Sequence, residues 1–210
     1  MSEFSTLAQA IIDGQLDATL EEVQRCLAEG ASPQSIMDEH LIRAMSEVGR
    51  LFEEGEYFVP ELMISARAMQ AAMKTLNPLL AGSGVQKIGR VVIGTVKGDF
   101  HDIGKNLVAA MLEGGGFDVV DLGVDVSPEK FAVAAKEQTG TLVAMSALLT
   151  TTMPQMKNVI EKLEAEGLRG TSKVIIGGAP VTHEFAQKIG ADGYSDNASA
   201  AVTLAKSFFA

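Results

Sequence analysis

Along residues 1–80 apolar side chains recur every three or four positions. Leu7, Ile11 and Ile12 open the series, Leu20, Val23 and Leu27 continue it, and Met37, Leu41, Ile42, Met45, Val48, Leu51 and Phe52 form a third stripe. Leu62, Met63, Ala66, Met69, Ala72, Met73 and Leu76 form a fourth. That spacing predicts amphipathic helices. Glycine and proline interrupt it at "EGASP" (29–33), "EEGEYFVP" (53–60) and "NPLLAGSG" (77–84), where breaks are expected. Four or five such helices make a small antiparallel bundle. The methionines on its apolar faces read first as gap-filling core.

After about residue 86 the rhythm changes to short, continuous apolar runs alternating with helical stretches. The runs "RVVIGTV" (90–96), "FDVVDLG" (117–123), "TLVAMSA" (141–147) and "KVIIGG" (173–178), with a short one near "ADGYS" (191–195), predict strands. Helices are expected over 103–114, 128–138, 152–166, 181–189 and 197–208. Strands that are apolar on both faces and alternate with helices imply a parallel sheet covered on both sides. The expected fold is therefore α/β: a helical domain over 1–85, then a flavodoxin- or Rossmann-like domain over 86–210. Five βα units match the strand order 2-1-3-4-5, whose switch point lies between the first and third strands.

Composition narrows the class. Of 210 residues 47% are apolar, enough for a substantial core. The formal charge of -10 argues against nucleic acid or an anionic membrane as the main partner. Cys26 is the only cysteine, which excludes an internal disulfide framework and a Cys-rich metal site. The acidic N-terminus lacks signal-peptide architecture, and no apolar run reaches membrane-spanning length. A cytoplasmic setting is expected.

The unusual chemistry lies in three loops. "GDFHDIG" follows the first strand, "SALLTTT" (146–152) the third and "GGAPV" (177–181) the fourth. In the expected order these strands are neighbours, so the loops meet at the edge where open α/β sheets bind ligands. Paired glycines permit close backbone approach, and Ser146, Thr150 and Thr152 supply hydroxyls. Such a site suits a long, mostly uncharged ligand reaching from His101 down beside the sheet. Each element has an ordinary alternative: paired glycines are common after strands, and Asp102 fits an N-cap for the helix beginning at Ile103. The convergence of the three loops favours function.

Asp99-Phe100-His101-Asp102-Ile103-Gly104 fits the pattern D-x-H-x-x-G, Ser146-Ala147-Leu148 fits S-x-L, and Gly177-Gly178 is the glycine pair. Together they resemble the three signatures of cobalamin-binding domains. Residues 49–69, "GRLFEEGEYFVPELMISARAM", resemble the helical cap of methyl-cobalamin modules, as in methionine synthase and the corrinoid proteins of anaerobic methyl transfer. The resemblance covers nearly the whole chain. It implies cobalamin bound base-off and His-on, with His101 replacing the cofactor's benzimidazole as the lower cobalt ligand. Asp99 is then the partner of the other ring nitrogen, and Thr152, where methionine synthase has serine, continues the relay. Gly98, Phe100, Asp102, Ile103 and Gly104 belong to the ligand loop. Ser146, Leu148, Thr150, Gly177, Gly178 and Ala198 match positions lining the groove for the displaced nucleotide tail. Phe52, Val59 and Leu62 match cap positions over the upper face of the corrin, with ordinary bundle core as their other reading.

A capped module without a barrel or substrate modules resembles the shuttle subunit of three-component methyltransferase systems. That implies a non-catalytic methyl carrier. A substrate-specific methyltransferase would load its cobalt from methanol, a methylamine or an aryl methyl ether. A second methyltransferase would pass the methyl to tetrahydrofolate or coenzyme M, and a reductive activator would restore the cofactor. His40 and His183 are isolated, and Cys26 has no companions for a zinc site. Two other classes stay open. A cobalamin-dependent sensor or regulatory module would use the same architecture, but nothing basic or helix-turn-helix-like accompanies the bundle. A receiver or nucleotide-binding module would carry aspartate where Ser146 stands, or G-x-G-x-x-G after the first strand.

Overall fold

The computed structural model describes residues 4–80 and 87–209. The expected domain boundary at 85/86 and the glycine-rich end of the third predicted break lie outside these residues. The chain forms two compact units, Met1–Lys87 with Glu113–Gly116, and Ile88–Leu112 with Phe117–Ala210.

The first unit is helical: α1 (Thr6–Ile12), α2 (Leu16–Ala28), α3 (Pro33–Ile36), α4 (Ile42–Glu53) and α5 (Val59–Leu80), with a π-helical turn at Met37–Leu41 between α3 and α4. Its core follows the predicted stripes, with Leu7, Ile11, Val23, Leu41, Val48, Leu62 and Leu76 buried, and adds Ile36. Met37, Met45, Met69 and Met73 are buried among them as gap-filling core. Ser5 and Ser32 cap α1 and α3 by accepting the N–H groups of Ala8 (3.2 Å) and Ser35 (3.0 Å). One expected break is corrected: α5 runs through Asn77 and Pro78 to Leu80. Pro78 lies in the last turn, where it removes one bond, and the buried face that includes Leu76 and Leu80 carries the helix past it.

The second unit is a five-stranded parallel sheet: β1 (Arg90–Thr95), β2 (Asp118–Asp121), β3 (Leu142–Ser146), β4 (Lys173–Gly177) and β5 (Gly193–Tyr194). The strand order is the predicted β2-β1-β3-β4-β5. Helices α6 (Ile103–Gly114), α7 (Pro128–Lys136), α8 (Pro154–Ala165), α9 (His183–Ile189) and α10 (Ala198–Ser207) connect and cover the strands. Alternate strand residues feed two cores. Val92, Val143, Val174 and Ile176 pack with Phe131, Met156, Val159, Ile160 and Ile189 from α7, α8 and α9. Val91, Ile93, Leu142, Ala144 and Ile175 pack with Ala109, Leu112 and Ala205 from α6 and α10.

At the ends that lead into the loops, each strand stops a residue or more short of the prediction, for one reason. Their last apolar positions leave the ladder to begin the loops. The Val96 N–H still donates to the Ser146 carbonyl (3.0 Å), and the Ala147 N–H to the Gly177 carbonyl (3.3 Å). Beyond these bonds β1 leads to α6 on one face and β3 to α8 on the other. The divergence opens the sheet edge at the switch point.

Candidate functional site

Asp99 is the centre of the loop after β1. It is fully buried, yet its carboxylate is saturated with donors. Oδ1 accepts the backbone N–H of His101 (3.1 Å) and sits 2.7 Å from His101 Nδ1. Oδ2 accepts the N–H groups of Leu148 (2.8 Å) and Leu149 (3.3 Å) and the hydroxyl of Thr152 (2.7 Å). One side chain therefore ties the β1 loop to the β3 loop. Burial acts to raise the Asp99 pKa. Hydrogen bonds from Thr152, His101 and the Leu148 amide outweigh it and hold the carboxyl well below the usual carboxylate range.

An ionised carboxylate only accepts, so the Nδ1 facing it carries a proton. In a neutral ring this leaves the lone pair on Nε2. The His101 side chain is 51% exposed, and Nε2 has no hydrogen-bond partner among the described residues. The Thr152 hydroxyl also lies 2.9 Å from the Leu149 carbonyl, so its single proton is shared between two acceptors. The loops around the imidazole expose large apolar side chains: Phe100 is 68% exposed, Ile103 69%, Leu148 42% and Leu149 42%. Exposed apolar groups concentrated on adjacent loops mark a binding surface.

The structure thus joins His101 and Thr152 through Asp99, with Phe100, Ile103 and Leu148 on the same two loops. Asp102 precedes α6. Its carbonyl accepts the first helical bond from Asn106 (2.7 Å), and its carboxylate accepts the Asn106 side-chain amide (3.2 Å). Gly98 adopts φ 81°, which turns the chain into the loop. Gly104, by contrast, has an ordinary φ and no atom within 4 Å of where a Cβ would stand. The fold itself does not require glycine there. Lys105 is buried, its ammonium paired with Asp121 and 2.5 Å from Asn106 Oδ1, which pins the first turn of α6 to the end of β2.

Along the suggested tail groove Ser146, Gly177 and Gly178 are half-buried, Thr150 is exposed and Ala198 is buried at the start of α10. The glycine pair has a second cause. A Cβ on Gly178, at φ 129°, would stand 2.0 Å from the Ala147 carbonyl oxygen, and one on Gly177 3.1 Å from the Ser195 carbonyl oxygen. The close approach of the chain after β3 already demands glycine at 178, while the chain after β5 only crowds position 177. Gly178→Ala is therefore expected to destabilise the protein by about 2–5 kcal/mol, combining a strained φ with overpacking. Urea unfolding measures this, and an unchanged midpoint would disprove the fold-based account. Of the bundle positions, Leu62 is buried core, Phe52 is half-buried and Val59 is 43% exposed, while Phe58 (65%) and Met63 (49%) expose more apolar surface.

Sequence reasoning misses the Leu149 amide and Asp125. Backbone donors carry no residue signature, and "LGVDVSPEK" reads as strand end and helix cap. Among the described residues no cluster of His, Cys, Asp and Glu is arranged to hold a metal, and no helix is long and apolar enough to cross a membrane.

Comparison with known proteins gives a consistent set of matches. A B12 binding domain family matches residues 89–203, and a second family described in the same words matches residues 4–77. Dimethylamine corrinoid protein 1 of Methanosarcina acetivorans is 47% identical over 97% of this chain and 96% of its own length. A crystal structure of a cobalamin-binding protein from Desulfitobacterium hafniense superposes with a TM-score of 0.79 at 36% identity, covering 99% of both chains. The methanol:cobalamin methyltransferase complex MtaBC from Methanosarcina barkeri gives 0.85 at 33% identity, covering 97% of this chain and 78% of the other.

Proposed function

This chain belongs to the B12-binding corrinoid-protein family, and from that membership we propose that it is the methyl-carrying subunit of a corrinoid-dependent methyltransferase system, with His101 as the lower ligand of cobalt. The observation that carries the reading is the buried, ionised Asp99 orienting an imidazole whose Nε2 faces outward among exposed apolar side chains. Such a donor set fits a corrinoid. A neutral imidazole is a good ligand for a borderline metal, and Phe100, Ile103, Leu148 and Leu149 offer apolar surface to a large ring. Gly104 leaves room at the start of α6 that the fold does not use.

When bound, the corrinoid supplies a cobalt centre that accepts and releases methyl groups. The chain's own residues orient and tune. Asp99 fixes the Nδ1–H tautomer of His101 and makes Nε2 a stronger donor. Thr152 and the amides of Leu148 and Leu149 keep Asp99 ionised and immobile.

Among possible donors the methylamines have most support, because a relative at 47% identity is named for dimethylamine while the methanol complex stands at 33%. The acceptor side, tetrahydrofolate or coenzyme M through a second methyltransferase, the reductive activator and the cytoplasmic setting complete the proposal. The sensor reading has no observation in its favour.

Gly104→Leu tests the binding mode. A Cβ at residue 104 stands in open space and the change replaces a helical glycine, so stability is expected to stay level or rise by about 0.5–1 kcal/mol. Hydroxocobalamin affinity, measured by visible absorbance during titration, is expected to fall about 10- to 100-fold. Wild-type affinity in this variant would mean that the corrin lies elsewhere.

A further inference from the structure

Asp125 is the single non-glycine residue at positive φ (51°) among the described residues. It lies in the turn between β2 and α7, away in sequence from the ligand loop. Aspartate tolerates the left-handed region better than most residues, but glycine is the default there. What aspartate adds is a carboxylate, and that carboxylate has a specific target. Its Oδ1 accepts the N–H of Gly98 at 2.7 Å. The Asp125 backbone N–H donates to the carbonyl of Asp99 at 3.0 Å. Asp125 thus grips the peptide backbone on both sides of the Asp99 α-carbon.

The turn is itself anchored. The Val126 N–H donates to the Thr95 carbonyl (3.0 Å), the Thr95 N–H donates to the Gly123 carbonyl (3.0 Å), and Lys130 Nζ donates to the Leu122 carbonyl (2.8 Å). The grip therefore rests on a fixed base. Gly98, at φ 81°, turns the chain just before Asp99, and among the described residues its one hydrogen bond to a side chain is the N–H it donates to Asp125.

We propose that Asp125 is the positioning residue of the ligand loop: it holds Gly98 and Asp99 so that the Asp99 carboxylate keeps His101 Nδ1 in hand and Nε2 aimed outward. The inference rests on the reading of His101 as lower ligand. Asp125 does not touch the imidazole; it acts through Asp99.

The test uses four full-length proteins: wild type, Asp125→Gly, Asp125→Asn and His101→Ala. Each is loaded with hydroxocobalamin and reduced to the Co(II) state for electron paramagnetic resonance, where an axial nitrogen splits the signal. Asp125→Gly removes the carboxylate at a φ glycine accepts freely, and its expected effect is about a 10-fold drop in the ratio of nitrogen-ligated to unligated cobalt. Asp125→Asn keeps an acceptor oxygen and tolerates the same φ, so it is expected to restore most of the ligation. In the apo proteins, imidazole ¹⁵N shifts are expected to report one His101 tautomer in wild type and a mixture in Asp125→Gly. Wild-type splitting and a single tautomer in Asp125→Gly would overturn the proposal, as would loss in Asp125→Asn as deep as in Asp125→Gly. If wild type itself matches His101→Ala, the lower-ligand reading fails, and the apo tautomers still decide the role of Asp125.

Discussion

Replacing His101 with alanine is expected to abolish axial nitrogen ligation while leaving the fold in place. The imidazole is half exposed, so its removal opens no cavity, but it takes one donor from the buried Asp99 carboxylate, and stability is expected to fall by about 1–3 kcal/mol. The backbone N–H of residue 101 still reaches Asp99, and the bonds from Leu148, Leu149 and Thr152 remain. Corrinoid is expected to bind more weakly, through the apolar loops and the groove. The Co(II) resonance should lose its nitrogen splitting entirely. An identical spectrum in wild type and His101→Ala would mean that His101 merely precedes a helix.

Asp99→Asn is expected to do nearly as much by a different route. The carboxylate accepts from five donors, two on Oδ1 and three on Oδ2. An asparagine offers an oxygen on one side only. With that oxygen toward Leu148, Leu149 and Thr152, its NH₂ faces His101 Nδ1, which must then become an acceptor. The ring proton moves to Nε2, the atom that would ligate cobalt. Ligation is expected to be lost with the imidazole still present, and ¹⁵N shifts of the apo protein should show the reversed tautomer. Donors left facing donors are expected to cost about 2–4 kcal/mol at neutral pH. The pH dependence has a definite sign. The folded Asp99 carboxyl is held below its unfolded value, so its stabilisation is complete above about pH 4 and is lost as pH falls further. The gap in urea midpoint between wild type and Asp99→Asn should close as pH falls below that value. A gap that widens below about pH 4 would contradict the assignment.

From sequence alone, the role of Asp99 reads as strengthening a ligand. Its network makes it also the buried junction of two loops, because Leu148 and Leu149 contribute amides rather than side chains. Gly178 shows the opposite bias. As a motif residue it suggests space for a ligand tail, while the Ala147 carbonyl already needs that space. Leu62 behaves likewise: its place in a resemblance points to a ligand, and its burial makes it core.

What the sequence determined by itself is what depends on periodicity and on residue type at fixed spacing. Apolar stripes set the helices, continuous apolar runs set the five strands and their order, and D-x-H-x-x-G placed histidine and aspartate on one loop. Only the tertiary structure decided what depends on backbone groups meeting across loops. The donors that saturate Asp99, the left-handed Asp125 that grips its flanks and the freedom of Gly104 all belong to this class. The physical reason is that N–H and C=O groups are identical at nearly every residue. Their use is fixed by where the parallel sheet brings two loops together, not by the side chains that the sequence spells.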